Sequence, residues 1–122
     1  MKKNLSNITK EELLVFYRLD RIMIEFIPLK SNFRLFHLAY LIDYPVDKTS
    51  KLIKRIYNAN FNIVVNFYRI NYFEKLMYQE LFLNKKIVIS ELIKKSGFKS
   101  RNTYYVTLKK INKKIYCNQS DK

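Results

Sequence analysis

The stretch IVISELIKKSGFKSRNTYYVTLKKINKK, residues 87–114, predicts two short helices joined at a sharp corner. Leu92 and Ile93 supply the buried side of the first helix, and Ser90 is its predicted N-cap. Gly97, the only glycine of the chain, stands at the corner, where the backbone needs a left-handed conformation. These residues indicate a helical pair with a fixed turn.

The second helix of this stretch has one apolar and one polar side. Phe98 is expected to be buried behind the corner, and Ser100 is a second predicted N-cap. The apolar side recurs at helical spacing, at Tyr104, Leu108 and Ile111. The opposite side is basic and bears an amide, with Arg101, Asn102, Tyr105, Val106, Lys109 and Lys110. This pattern predicts a helix-turn-helix whose second helix fits a DNA major groove. The alternative is an ordinary helical hairpin with a solvated basic face.

The charge of the chain favours a polyanionic partner. Its 24 Lys and Arg outnumber its 10 Asp and Glu, which gives a net charge of +14. From residue 84 onward, 11 basic residues stand against 2 acidic ones, a net charge of +9 around the predicted helix-turn-helix. A basic surface that serves solubility alone is the alternative.

The remaining chain predicts one all-α domain. A length of 122 residues, 48% apolar content, one Gly and two Pro indicate a packed helical fold. Thr9 and Glu12 form a predicted capping box at the start of an N-terminal helix, which Pro28 ends near Ile27. Ile8 is expected to staple onto Leu13. The predicted buried face of this helix contains Leu13, Phe16, Met23 and Ile27, and Asp20 interrupts it.

A second helix pair and a long helix lie between these segments. In the pair, Leu35, Leu38 and Ala39 mark a buried side that ends near Asp43. Pro45 starts the next helix, Leu52, Ile53 and Ile56 continue the buried side, and Asn58 is the predicted left-handed cap. Phe61 to Phe82 is one predicted helix that packs on both sides and bridges the two pairs, with the loop 83–86 after it. Its main apolar stripe is Ile63, Phe67, Ile70, Phe73, Met77 and Leu81.

Two helix-turn-helix units joined by a long central helix, a homeodomain-like pair, resemble the DNA-binding domain of the AraC/XylS family. NFNIVVNFYRINYFEKLM resembles the family's inter-domain segment, with Phe61, Asn66 and Arg69 at matching positions. ISELIKKSGFKSRNTYYVTLKK is similar to its C-terminal signature, with matches at Gly97, Phe98, Ser100, Thr103 and Lys109. The segment 35–56 resembles its first unit more weakly, and RLDRIMIEF resembles the lead-in of Bacteroidetes-type members. The predicted division is an N-terminal helix and linker (1–32), the double helix-turn-helix (33–114) and a loose tail (115–122).

The resemblance implies a stand-alone transcription regulator without an effector domain that binds double-stranded DNA as a monomer. It assigns base contacts to Arg101, Asn102, Tyr105 and Val106 in the C-terminal unit, and to Asp47, Lys48, Ser50 and Lys51 in the first unit. It assigns phosphate contacts to Lys54, Arg55, Lys99, Ser100, Lys109 and Lys110, and the structural turn to Gly97. The sequence departs from the family pattern at Asp43, where Gly is usual, at Thr49 in place of an apolar residue, and at Leu108 in place of Phe. The trailing Gly and Pro motif is missing.

Several other functions are disfavoured by the residue types. One glycine cannot build a phosphate loop, and His37 and Cys117 alone do not make a zinc site of usual spacing. We therefore expect no enzyme activity, no cofactor and no metal. No apolar run approaches a membrane span and the start is not a secretion signal, which predicts a cytoplasmic protein that does not bind membranes. RNA polymerase is a further candidate partner. The alternatives left open are an interaction protein that modulates a full-length regulator or RNA polymerase, and a non-specific architectural DNA binder.

Overall fold

Six helices and no strand are present in the part of the chain that the computed structural model describes, residues 2–25 and 32–120, with side chains to residue 110. The predicted all-α class is confirmed. The predicted end of the first helix at Ile27 and Pro28 lies outside the described residues. The helices are α1 (Lys10–Glu25), α2 (Leu35–Ile42), α3 (Val46–Tyr57), α4 (Phe61–Phe82), α5 (Ile89–Lys95) and α6 (Arg101–Ser120).

The start of α1 is the predicted capping box. The Glu12 amide donates to Thr9 Oγ1 at 3.0 Å, and the Thr9 amide donates to Glu12 Oε1 at 3.1 Å. Two amides that lack helical partners are thereby satisfied. The Thr9 amide, ahead of the Arg55 guanidinium, holds the pKa of Glu12 below its ordinary value.

The buried side of α1 agrees with the predicted one at Phe16 and Met23 and differs from it at Leu13. Leu13 was expected in the core, but 47% of it is exposed. The sequence of α1 carries apolar residues on two sides, and the side that packs is the one that contains Leu19. The residues that are buried are Val15, Phe16, Leu19 and Met23, and those that stay exposed are Leu13, Leu14, Tyr17 and Ile24.

Asp20, which interrupts the apolar face of α1, accepts hydrogen bonds from other parts of the chain. The Tyr68 hydroxyl donates to Asp20 Oδ1 at 2.5 Å, and the Tyr57 and Tyr68 hydroxyls lie 2.5 Å apart. Since the Tyr68 proton points to Asp20, the Tyr57 hydroxyl donates to Tyr68. Lys3 Nζ lies 3.5 Å from the same carboxylate oxygen. This chain of hydrogen bonds, the Asp20–Tyr68–Tyr57 chain, joins α1, α3 and α4.

The α2–α3 pair closes on a left-handed residue. Asp43 has φ 54° and ψ 54°, its amide donates to Tyr40 O, and the Tyr44 amide donates to Ala39 O. This is the Schellman pattern, in which aspartate occupies the position usual for glycine. Thr49 is fully buried without an orphaned hydroxyl, because its Oγ1 donates to Pro45 O at 2.8 Å. The predicted start at Pro45 and the left-handed cap at Asn58 (φ 52°) are confirmed.

The long helix α4 contacts α1 and α3 as well as α5 and α6. Val64, Val65 and Tyr68 belong to a first core cluster with residues of α1, α2 and α3. Ile70 and Phe73 belong to a second cluster with residues of α5 and α6. The predicted single stripe is therefore wrong at its ends: Ile63 is half-buried and Leu81 is 52% exposed. Because α4 packs in the first cluster along its first half and in the second cluster along its second half, its buried side changes in the middle of the helix.

The α5–α6 pair forms the predicted corner with one correction and one difference. Ser90 is not the N-cap, because the Val88 carbonyl accepts from the Glu91 and Leu92 amides and α5 begins at Ile89. Gly97 has φ 89°, and Phe98 is 4% exposed, as predicted. The helix α6 continues to Ser120, so residues 115–120, expected in a loose tail, are helical. No Gly or Pro after Gly97 interrupts the helical hydrogen bonds.

Candidate nucleic-acid interface

One side of α6 carries an exposed polar and basic surface, the α6 face. The Ser100 hydroxyl accepts from the Thr103 amide at 3.1 Å, and this predicted N-cap fixes where the helix starts. At about 100° per residue, the exposed residues occupy one half of the helix surface. The α6 face consists of the exposed residues Arg101, Asn102, Tyr105, Val106, Lys109 and Lys110.

The opposite side of α6 is held by an aromatic cluster. The ring centroid of Tyr104 lies 4.6 Å from that of Phe73 on α4 and 5.5 Å from that of Phe98 in the corner. Burial raises the pKa of Tyr104, so its ring stays neutral in this setting. Tyr105 contacts Tyr104 edge-on, at 5.1 Å between centroids, while 48% of Tyr105 is exposed. The exposed ring is thus supported from behind by the buried one.

A second basic surface, the α3 face, lies on the exposed side of α3. Leu52, Ile53 and Ile56 are buried as predicted, and they leave the other half of the helix to solvent. Ser50 is half-buried at one margin of this surface. The α3 face consists of Asp47, Lys48, Ser50, Lys51, Lys54 and Arg55.

Arg55 differs from the other cations of the α3 face because it forms an ion pair. Its Nη2 donates to Glu12 Oε2 at the start of α1, 43 residues earlier in the sequence. Among the described residues Lys48, Lys51 and Lys54 form no ion pair. The predicted phosphate contacts of this face are therefore not equivalent, since one of the charges is already neutralised.

The two predicted phosphate contacts before α6 are exposed but differ in their bonding. Lys99 lies in the corner without an ion pair in the described part of the chain. Ser100 uses its hydroxyl oxygen for the helix cap and lies 2.9 Å from Thr103 Oγ1. A phosphate at Ser100 would therefore meet a hydroxyl that is already engaged in the cap.

Asn66 and Arg69 of α4 form a hydrogen bond with each other. Arg69 is 8% exposed, and its Nη1 donates to Asn66 Oδ1 at 3.1 Å. Burial lowers the pKa of Arg69. Both residues lie in the middle of α4, where the helix passes from the first core cluster to the second.

His37 Nδ1 accepts from the Arg34 amide at 3.0 Å near the start of α2, which is a structural use of the ring. Within residues 2–25 and 32–120 no group of three or more His, Cys, Asp and Glu is placed to hold a metal ion. Over the same residues, no helix has both the length and the apolar character needed to cross a membrane.

The contacts of α1 with α3 and α4 were not anticipated from the sequence. Glu12 was explained fully by the capping box, and Asp20 was treated as an interruption. Their partners lie 43 and 48 residues away, and no local pattern links residues at such separations. A polar residue on an apolar helical face is the one signal that could have indicated the contact of Asp20.

Comparison with known proteins gives no match: no family model, no curated protein and no solved structure is similar to this chain.

Proposed function

We propose that the chain is a sequence-specific regulator of transcription that binds double-stranded DNA through two helix-turn-helix units, α2–α3 and α5–α6. The observation that carries the proposal is the α6 face, where a guanidinium and an amide stand beside two lysines on a helix whose other side is packed. Arginine pairs bidentately with guanine and asparagine with adenine in the major groove. The net charge of +14 supports binding to a polyanion.

The division of roles within the α6 face follows from the chemistry of its side chains. In this proposal Arg101 and Asn102 in the first turn read base edges, Tyr105 and Val106 contact thymine methyl groups, and Lys109 and Lys110 bind phosphates. The α3 face would supply the second set of contacts. The likeness of residues 89–110 to the AraC/XylS signature gives the same assignment.

Selection of bound fragments from random DNA tests the proposal. A specific regulator enriches one motif and prefers it over bulk DNA by a factor on the order of 10³ or more. Asn102→Ala should remove the preference at one base position, a loss of about 1–3 kcal/mol of discrimination, and leave non-specific binding intact. Lys110→Ala is the matched control on the same helix, because it should weaken all sequences equally.

Two other outcomes would point to different functions. Binding without enrichment identifies an architectural DNA binder. No binding to DNA favours an interaction protein, for which α1 offers the exposed apolar residues Leu13, Leu14, Tyr17 and Ile24.

A further inference from the structure

The N-terminal helix reaches the α3 face at one ion pair, between Glu12 and Arg55. Arg55 Nη2 donates to Glu12 Oε2, while the other carboxylate oxygen, Oε1, accepts from the Thr9 amide at 3.1 Å. The carboxylate is therefore held from both sides. Its side chain is 20% exposed, whereas the guanidinium side chain of Arg55 is 48% exposed. Arg55 can still be reached by a phosphate, but its charge is already compensated.

The place of Arg55 on α3 makes this pair relevant to DNA contact. Its side chain lies at one margin of the α3 face, about 100° around the helix from Lys54. A phosphate that approaches Arg55 also approaches the carboxylate of Glu12, which repels it. Lys48, Lys51 and Lys54, the other cations of the face, form no ion pair within the described residues.

The start of α1 is fixed to α3 by a further contact. The Asn4 amide donates to Ile56 O at 2.7 Å, one residue beyond Arg55 on the last turn of α3. Lys3 Nζ also stands 5.6 Å from the ring centroid of Phe16, which anchors the same segment to α1. The segment before α1 thus keeps Glu12 close to Arg55.

We propose that Glu12 is a positioning residue that withholds Arg55 from DNA phosphates and so limits the sequence-independent affinity of the chain. The inference rests on the proposed function. The carboxylate and a phosphate compete for one guanidinium, so the phosphate gains little at Arg55 unless the pair opens. In this way the N-terminal helix lowers the electrostatic attraction of the α3 face for DNA phosphates.

A double-mutant cycle with Glu12→Gln and Arg55→Gln tests whether Glu12 withholds Arg55 from DNA phosphates. Glutamine keeps the oxygen that accepts from the Thr9 amide and removes the charge. Binding to one duplex of random sequence is measured over a range of salt, since each phosphate neutralised adds about 0.9 to the slope of log affinity against log salt. Glu12→Gln should steepen the slope by about 0.9 and tighten binding roughly fivefold at ~0.15 M salt. Arg55→Gln should change little in the wild-type chain and reverse this gain in the Glu12→Gln chain.

Two matched controls separate the effect of the Glu12–Arg55 ion pair from the effect of a change in net charge. Glu11→Gln removes the same charge from the neighbouring residue, which forms no ion pair within the described residues, and should leave the slope unchanged. Lys54→Gln should flatten the slope by about 0.9 whether or not Glu12 is present. Circular dichroism melting curves verify that each variant is folded.

The cycle has outcomes that overturn the proposal. An equal effect of Arg55→Gln in both backgrounds shows that Glu12 withholds nothing, and weaker binding by Glu12→Gln shows that it presents Arg55 to DNA. In both cases the wild-type chain still binds DNA, so the proposed function stands. If neither the wild-type chain nor any variant binds DNA, the proposed function fails and this inference fails with it.

Discussion

At the scale of single residues, the described part of the chain makes four of its five positive-φ turns without glycine. Such turns put the Cβ close to the neighbouring carbonyl oxygen, and Asn and Asp tolerate this better than other residues because their short side chains bond locally. Asn84 shows the arrangement after α4, where the Lys85 amide donates to Glu80 O at 3.0 Å. The non-glycine residues with positive φ in the described ranges are Asn7, Asp43, Asn58 and Asn84.

Replacing an asparagine by glycine should change the free energy of unfolding in opposite directions at two exposed positions, one inside α4 and one just after it. At Asn84, with φ 54°, Asn84→Gly relieves the strained conformation and should stabilise the fold by about 0.5 kcal/mol. At Asn71, inside α4, Asn71→Gly should destabilise it by about 0.3 kcal/mol, because asparagine is itself a poor helix former. Urea unfolding of both variants measures the free energies. A change of the same sign at both positions would contradict the argument.

At the scale of elements, the Asp20–Tyr68–Tyr57 chain ties α1 to α3 and α4. Burial raises the pKa of Tyr68 and of Tyr57, and the nearby Asp20 charge acts in the same direction on both. The folded state therefore holds these protons more strongly than the unfolded state. The stability they contribute is complete below the ordinary tyrosine pKa of about 10 and is lost as pH rises above it.

Alkaline unfolding should reveal this contribution. The free energy of unfolding of the wild-type chain should fall above pH ~10, and Tyr68→Phe should reduce the steepness of that fall. Tyr40→Phe is the control, because Tyr40 is 85% exposed and should leave the pH profile unchanged. Urea titrations between pH 8 and pH 11 supply the measurement. An identical profile for Tyr68→Phe and the wild-type chain would refute the role of the buried hydroxyl.

Local signals predicted the elements well and the contacts between distant elements poorly. Thr9 with Glu12, Gly97 and Ser100 are short-range motifs, and each fixes a helix end where the sequence places it. The face that α1 buries was predicted less well, since Leu13 and Leu19 are both apolar and only packing against other helices decides between them. The exposure of the predicted α6 face followed from periodicity. The ion pair between Glu12 and Arg55 could not be predicted from periodicity, because it depends on how α1 packs against α3.

At the scale of the whole molecule, α4 sets the relation between the two helix pairs. It has 22 residues and is therefore about 33 Å long at 1.5 Å per residue, close to the ~34 Å between successive major-groove segments on one side of DNA. Its first half packs in one core cluster and its second half in the other. If each pair binds one DNA box, as proposed, the two pairs cannot follow changes in the spacing of those boxes.

Three synthetic duplexes test whether one chain reads two adjacent boxes. Inserting about 5 bp between the boxes rotates one of them to the far side of the duplex, and inserting about 10 bp moves it one full turn away. Affinity should fall to that of a single box on both altered duplexes, because α4 neither twists nor stretches. Titration of the chain against the three duplexes gives the affinities. Equal affinity on all three would leave the α6 face alone in contact with bases.

The division of the core within α4 also sets the order in which the protein can fold during synthesis. The first core cluster ends at Tyr68, and the second begins at Ile70, so the two do not interleave along the chain. The ribosome adds the whole first cluster, with the partners of Asp20 and Glu12, before it adds any residue of the second. The amino-terminal half therefore leaves the ribosome first and can begin to pack before the second half has emerged. The nascent chain would acquire its two structural halves one after the other, with the first half of α4 as the platform on which the second is completed.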